Sequence, residues 1–380
     1  MAEMGPDPRV AVDLRALVGR PTGIGFLTRA VLEHLARAGR PLLGLSHREI
    51  APAAELGALG VTLEHQPAPL GVLWQQLVLP RRLAEGDVDV LWSPLFTLPV
   101  VSRLPVPAVV TVHDLTPVLL PETHRLKVRL SILPFLDASL GRAARVVADS
   151  RATAADVRRH FPECAERLEV VYPGVDPDFS PVDEERIAAI RRDLGCPGGY
   201  VFSAGTLEPR KNLGVLLDAW EALRREDPAT PPLLLAGPYG WRSRALVRRL
   251  RALEPLGLRH LGHVDRARLI ELFQAARVFV LPSLYEGFGL PAAEAMACGV
   301  PTITSDSSSL PEVVGDAGVL VAAGDGGGDL AAAMRRVLGD PAIERDLGER
   351  GAERARRFSW AKTAERMGEI FDQVAEVGGR

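Results

Sequence analysis

Two glutamates separated by seven residues, Glu286 and Glu294, stand in the stretch Phe279–Pro301, FVLPSLYEGFGLPAAEAMACGVP. The apolar run before Ser283 reads as a strand, the glycines after it as a loop, and Pro291 suits the first position of a new helix. The N–H groups of Gly287, Phe288, Gly289 and Leu290 then lie in the loop and at the helix mouth. Unpaired N–H groups and the positive end of a helix favour an anion such as a diphosphate. Glu294 is expected in the first helical turn. Carboxylates beside an anion repel it unless they accept hydrogen bonds from hydroxyls, which suits a nucleotide-sugar with one carboxylate on the sugar and one on the ribose. The plainer alternative is a solvated loop acid at Glu286 and a dipole partner at Glu294.

A second cluster is Gly205–Asn212, GTLEPRKN, again after a strand and before a helix. The fork of Arg210 can bind two oxygens of a diphosphate leaving group, with Lys211 as a point charge. Lys127, Lys211 and Lys362 are the only lysines among 45 basic residues, so Lys211 stands out. Glu208 is placed to pair with Arg210. The plainer reading is a solvated basic helix start. Gly23 and Gly25 lie in RPTGIG, Arg20–Gly25, ahead of a helix expected from Phe26; Thr28 stands where a third dinucleotide-loop glycine belongs. His113-Asp114 ends the strand in VVTVHDLTP, and Gly262-His263-Val264 precedes Asp265, a good N-cap.

These residues need rigid elements to place them. Strands are expected at Arg9–Asp13, Pro41–Leu45, Val88–Trp92, Ala108–Val112, Arg145–Ala148 and Leu168–Tyr172 in the first half. The second half offers Tyr200–Ala204, Pro232–Ala236, Arg259–Leu261, Val278–Leu281, Thr302–Thr304 and Val319–Val321. Amphipathic helices (Phe26–Arg37, Asn212–Arg224, Arg266–Ala276, Ala361–Val374) alternate with them, which implies parallel sheets covered on both faces. The expectation is an α/β chain of two doubly wound, Rossmann-like domains. Residues 1–180 and 181–360 would form them, joined through Asp176–Gly199, with a ligand cleft between the carboxyl ends of the sheets and 361–380 as a final helix. Gly324–Gly328 reads as a surface loop.

With 45 basic and 48 acidic residues, the formal charge of −3 gives no electrostatic ground for binding nucleic acid. Cys164, Cys196 and Cys298 are too scattered for a disulfide framework or a zinc site. Asp87-Val88-Asp89 resembles a metal-binding D-x-D but reads as a turn and strand start, and no other cluster has metal-ligand spacing. The N-terminus lacks an apolar signal core, and the longest uncharged stretch, Gln66–Pro80, holds three prolines and three glutamines. A cytoplasmic protein is expected, with peripheral contact at the inner face of the plasma membrane left open. Thr123–Arg145 mixes basic and apolar residues that suit an anionic bilayer, interrupted at Pro134, although a packed helix with a solvated face is the preferred account.

Taken with its EGFGLPAAEAMACGVP context, the Glu286/Glu294 pair resembles the E-x7-E signature of the retaining GT-B glycosyltransferases of family 4, across nearly the whole chain and most strongly over Tyr200–Val321. The resemblance implies a metal-independent hexosyl transfer from a nucleoside-diphosphate sugar to an acceptor hydroxyl, with no cofactor. It implies catalytic roles for His113, Arg210, Lys211 and Glu286. Donor binding would fall to Gly23, Gly25, Asp114, Gly205, His263, Val264, Gly287, Phe288, Gly289, Leu290 and Glu294. Gly25 N–H would approach the donor phosphate, His113 the reacting carbon, and the His263 loop the nucleobase. Phe358-Ser359-Trp360 resembles the family segment that crosses back to the N-terminal domain. The GIG and SSSLPE segments resemble mannosyl-type members using GDP-mannose, with UDP-sugars also open. The acceptor is expected to be a glycan, a lipid-linked glycan or a small molecule, and the oligomeric state is left open. Rival readings are a nucleotide-sugar epimerase or hydrolase of the same fold, and an inactive sugar-nucleotide binder.

Overall fold

The computed structural model describes residues 7–19, 22–121, 126–240, 244–324 and 327–378, with backbone alone for 126–131. It separates into two compact units, Met1–Gly174 with Ser359–Arg380, and Val175–Phe358.

The first unit is built on seven described strands: β1 (Val10–Asp13), β2 (Leu42–Ser46), β3 (Thr62–His65), β4 (Val90–Ser93), β5 (Ala108–Val112), β6 (Arg145–Ala148) and β7 (Leu168–Val170). They pair in parallel in the order β3-β2-β1-β4-β5-β6-β7. The central strands are buried along their whole length, as expected for sheets covered on both faces. Alternate residues feed two cores. Val10, Val12, Trp92 and Val109 pack with Val31 and Leu32 of helix Gly23–Arg37, and Ala11, Leu91, Val110 and Val112 pack on the opposite face. Helix Trp360–Gly378 joins the first core through Met367, Ile370 and Phe371, the last tilted against Trp92 at 5.8 Å. A Cβ on Gly174 would collide with the backbone nitrogen of Trp360, so the close chain crossing requires glycine there.

Strand β3 was not expected from the sequence. Its residues, TLEH, form a partly exposed edge with no apolar run, so the usual signal is missing. Helix Gly23–Arg37 also begins earlier than the expected Phe26, because Thr22 caps it by accepting from Gly25 N–H at 3.3 Å. Gly23 and Gly25 therefore form the first turn rather than a loop; Arg20 and Pro21 lie outside the described residues. Helix Leu126–Arg142 runs through Pro134, where a break was expected. In the proposed membrane face, Arg125 and the side chains of Leu126, Lys127, Arg129 and Leu130 lie outside the description. Among the described residues no helix is long and apolar enough to cross a membrane.

The second unit carries β8 (Val201–Ala204), β9 (Leu233–Ala236), β10 (Arg259–His260), β11 (Val278–Leu281), β12 (Thr302–Ser305) and β13 (Val319–Val321), again parallel, in the order β10-β9-β8-β11-β12-β13. The order reverses between β8 and β11. At such a switch point the following loops diverge to opposite faces and leave a crevice at the carboxyl edge. Of the expected Gly324–Gly328 loop, Asp325 and Gly326 lie outside the description, and Gly328 opens helix Gly328–Gly339.

Candidate functional site

The crevice between β8 and β11 is where the two expected motifs meet. After β8 the chain turns through Pro209–Lys211 into Asn212, which adopts the left-handed region (φ 51°) and leads into helix Leu213–Glu226. Leu284 N–H, in the loop after β11, donates to Arg210 C=O at 2.9 Å and ties the two loops together. Lys211 Nζ then lies 2.7 Å from Glu286 Oε1, and Arg210 Nη1 lies 2.8 Å from Glu286 Oε2. Arg210 also donates to Tyr285 C=O at 2.6 Å and Glu208 at 2.9 Å, so the expected Glu208 pairing is present beside the larger role. Lys211 is 7% exposed and Glu286 6%, which rules out the solvated readings of both. Burial alone would raise the Glu286 carboxyl; Arg210, Lys211 and Ser283 outweigh it and bring it down to about 2.

Glycine and serine shape this lattice. Gly205 has φ 137°, and a Cβ there would come 3.1 Å from Lys211 Cε, so glycine leaves room for the lysine stem. Gly237 ends β9 so close to Gly205 C=O that any side chain would collide. Ser283 Oγ donates to Glu286 Oε1 at 2.6 Å. Ser308 Oγ accepts from Glu286 N–H at 2.8 Å, and Ser309 Oγ donates to the carbonyls of Glu286 and Phe288. The SSSLPE resemblance gives these serines no part in holding the loop; three successive serines after a strand are the available signal for it.

In the rest of the loop, Phe288 is buried edge-on to Phe358 at 5.1 Å, and both Gly287 and Phe288 have partners of their own. Gly289 (φ 97°) caps helix Leu290–Ala297, which makes Leu290 the first helical residue and Pro291 the second. Glu294 consequently lies one turn in, not in the first turn. It is partly buried, and its carboxylate has no hydrogen bond among the described residues. Burial pushes its carboxyl up to about 7, with Arg266 opposing and Asp176 adding to the shift. In the loop after β10, Gly262 C=O accepts from Gly237 N–H at 2.7 Å, His263 is exposed and Val264 partly buried. Asp265 caps helix Arg266–Gln274 through Arg268 N–H.

The remaining candidates belong to the first unit. His113 directly follows β5 and is 7% exposed, with Nδ1 2.7 Å from Asp149 Oδ2 and Nε2 2.7 Å from Pro94 C=O. Burial disfavours its charged form, but Asp149, Pro94 C=O and Asp114 outweigh that and raise its pKa. Asp114 Oδ1 accepts from Thr116 N–H and Oγ1, a capping role. A Cβ on Gly25 would lie 2.7 Å from Ala16 C=O, whereas Gly23 borders open space. Asp149, missed by the sequence reading, had one signal: a carboxylate at the end of an apolar strand. Asp87 and Asp89 are held by Arg9, and Asp87 also by Arg82. The described residues contain no group of three His, Cys, Asp or Glu able to hold a metal.

Two family models match the chain: Glycosyltransferase Family 4 over residues 21–179 and Glycosyl transferases group 1 over 198–340. The chain is 35% identical over 323 residues to the O-antigen chain mannosyltransferase B of Escherichia coli, covering 83% of each. It is 33% identical over 249 residues to a D-inositol 3-phosphate glycosyltransferase of Streptomyces bingchenggensis, covering 62% of this chain and 54% of that one. Its fold is similar to Anabaena HepE in complex with UDP-glucose, with a TM-score of 0.74 at 20% identity over 96% of this chain and 99% of that one.

Proposed function

Because the chain belongs to the group 1, family 4 glycosyltransferases of GT-B fold, we propose that it moves a hexosyl group, mannosyl or glucosyl, from a nucleoside-diphosphate sugar to an acceptor hydroxyl with retention of configuration. The observation that carries this reading is the pair of cations, Lys211 and Arg210, gathered on one buried carboxylate at the switch point of the second sheet. With Glu208 included, two cations face two carboxylates. A diphosphate entering the crevice would share Lys211 and Arg210 with Glu286 rather than meet a free positive patch. As the C1–O bond to the leaving diphosphate breaks, negative charge grows on the β-phosphate, where the two cations stabilise it. They supply positive charge that a metal ion would otherwise bring, which is why we read the reaction as metal-independent.

The acceptor hydroxyl attacks C1 from the face that the diphosphate leaves, and its proton passes to the departing phosphate oxygen. A new glycosidic bond and a nucleoside diphosphate result. Glu286, fixed and ionised, would accept from donor-sugar hydroxyls through its remaining lone pairs. Glu294, unpartnered, would take the ribose hydroxyls. The resemblance to a mannosyltransferase favours GDP-mannose, and the acceptor would be a glycan, lipid-linked or small-molecule hydroxyl.

The test incubates the protein with GDP-mannose, UDP-glucose or UDP-N-acetylglucosamine and candidate acceptors, and reads the anomeric configuration of the product by NMR, with and without EDTA. A retained anomer at an EDTA-insensitive rate is expected. An inverted product would overturn the mechanism, an isomerised donor would make the protein an epimerase, and binding without turnover on any acceptor would leave only a sugar-nucleotide binder.

A further inference from the structure

In the first unit, an acceptor stands at each nitrogen of His113: Asp149 Oδ2 at Nδ1 and Pro94 C=O at Nε2, both at 2.7 Å. A neutral imidazole carries one ring hydrogen and can satisfy only one of them; both are satisfied when the ring is an imidazolium. Asp149 supplies the buried counter-charge. Among the described residues Asp114, already engaged with Thr116, adds a second negative charge to the ring's surroundings, while helix Arg151–His160 contributes Thr153 Oγ1, which donates to His113 C=O at 3.3 Å.

The far end of this chain of bonds is strained. Phe96, edge-on to His113 at 5.4 Å, has φ 62°, in the left-handed region that a bulky residue rarely adopts. Its loop is held by Phe96 N–H on Thr111 C=O, Ser93 Oγ on Thr97 C=O, and His113 on Pro94 C=O. That loop follows β4, and β1 and β4 are the strands between which the first sheet reverses its order. Strain at a switch point persists only where the surroundings over-determine it.

We propose that Asp149 is a positioning residue for the reaction: it keeps His113 as a fixed imidazolium that fastens the strained loop 94–97 to the ends of β5 and β6. His113 then has no ring hydrogen left for a substrate and acts through the loop. The kinetic consequence rests on the transfer reading above; the protonation state does not.

The experiment is Asp149→Asn, assayed from pH 5 to 9, with ¹⁵N-histidine NMR of the wild-type protein and the variant. In the wild type both His113 nitrogens are expected to be protonated at pH 8. The variant should lose the second proton there, with kcat falling about 10- to 100-fold while the donor KM stays within about threefold. The deficit should close below pH 6 as the ring regains its charge. His113→Gln, which cannot bond both acceptors as donors, should lose kcat to a similar degree without recovery in acid, and it serves if Asp149→Asn does not fold. A neutral His113 in the wild type at pH 8, or unchanged kcat in either folded variant across the range, overturns the proposal. Absence of turnover by the wild type would sink the transfer reading, while the spectrum would still decide the imidazolium.

Discussion

The two sheets carry their charged residues at the same place, the carboxyl edge, but treat them differently. In the first unit two buried charges at this edge are closed off internally. Asp13 is fully buried and takes four bonds from the Arg15 side chain and backbone plus one from Gln75, and His113 has both nitrogens spent. In the second unit Lys211 and Arg210 converge on Glu286, while Glu294 is left without a partner among the described residues. A closed network rigidifies its surroundings; two cations on one carboxylate, beside an acid with spare lone pairs, leave capacity for a ligand. The same topology thus gives one edge whose buried charges are spent on each other and another with capacity left for a ligand.

The largest effects should separate these roles. Lys211→Ala is expected to lower kcat by about 100- to 1,000-fold, the usual loss when one preorganised charge is removed from a transition state, with far-UV circular dichroism unchanged because Arg210 still neutralises Glu286. Arg15→Ala should do the converse. It leaves the buried Asp13 without its cation, a cost of about 3–5 kcal/mol in urea unfolding, with kcat of the remaining folded protein near that of the wild type. If Lys211→Ala turned over normally, or Arg15→Ala abolished turnover without loss of stability, the contrast between the edges would fail.

How much of this could be read from sequence follows the same division. Buried central strands announce themselves as apolar runs, so twelve strand positions were legible; β3, a polar edge strand, was not. Lys211 and Glu286 were legible as motif residues, but not that they bond each other, because the contact spans 75 positions and depends on the reversal between β8 and β11. Ser308 and Ser309 were not legible as loop supports, since nothing local says that a serine holds a loop 22 positions away. The GIG glycines were not legible as a helix start because a helix start and a loop share the same residue preferences; Thr22 decides for the helix only through its side-chain bond.

A smaller effect concerns Glu294. Its folded carboxyl titrates near 7 against about 4.5 in a free chain, so its stability contribution is full below pH 4.5 and is lost as pH rises through 7. Ribose hydroxyls need the ionised form as acceptor. Nucleoside-diphosphate affinity measured by calorimetry should therefore tighten severalfold from pH 6 to pH 8, while Glu294→Gln should bind more weakly and with a flatter pH profile. A flat wild-type profile would remove Glu294 from the ribose site and leave Glu286 as the second edge's only working carboxylate.

The smallest effect tests whether the first edge touches the donor at all. Gly25 packs where a Cβ would meet Ala16 C=O at 2.7 Å, and backbone on both sides leaves little room to yield, so Gly25→Ala should cost about 1–3 kcal/mol. Gly23 borders open space in the same helical turn, and Gly23→Ala should be neutral or stabilising by up to about 1 kcal/mol through the lower entropy of its unfolded chain. If the glycines serve packing alone, calorimetric affinity for GDP or UDP stays at the wild-type value in both variants and only the unfolding midpoint of Gly25→Ala moves. If Gly25 N–H instead approaches the donor phosphate, Gly25→Ala weakens nucleotide binding beyond what its stability loss explains, and Gly23→Ala does not. The second outcome would show that the first edge, however closed its charged side chains, also offers backbone to the ligand.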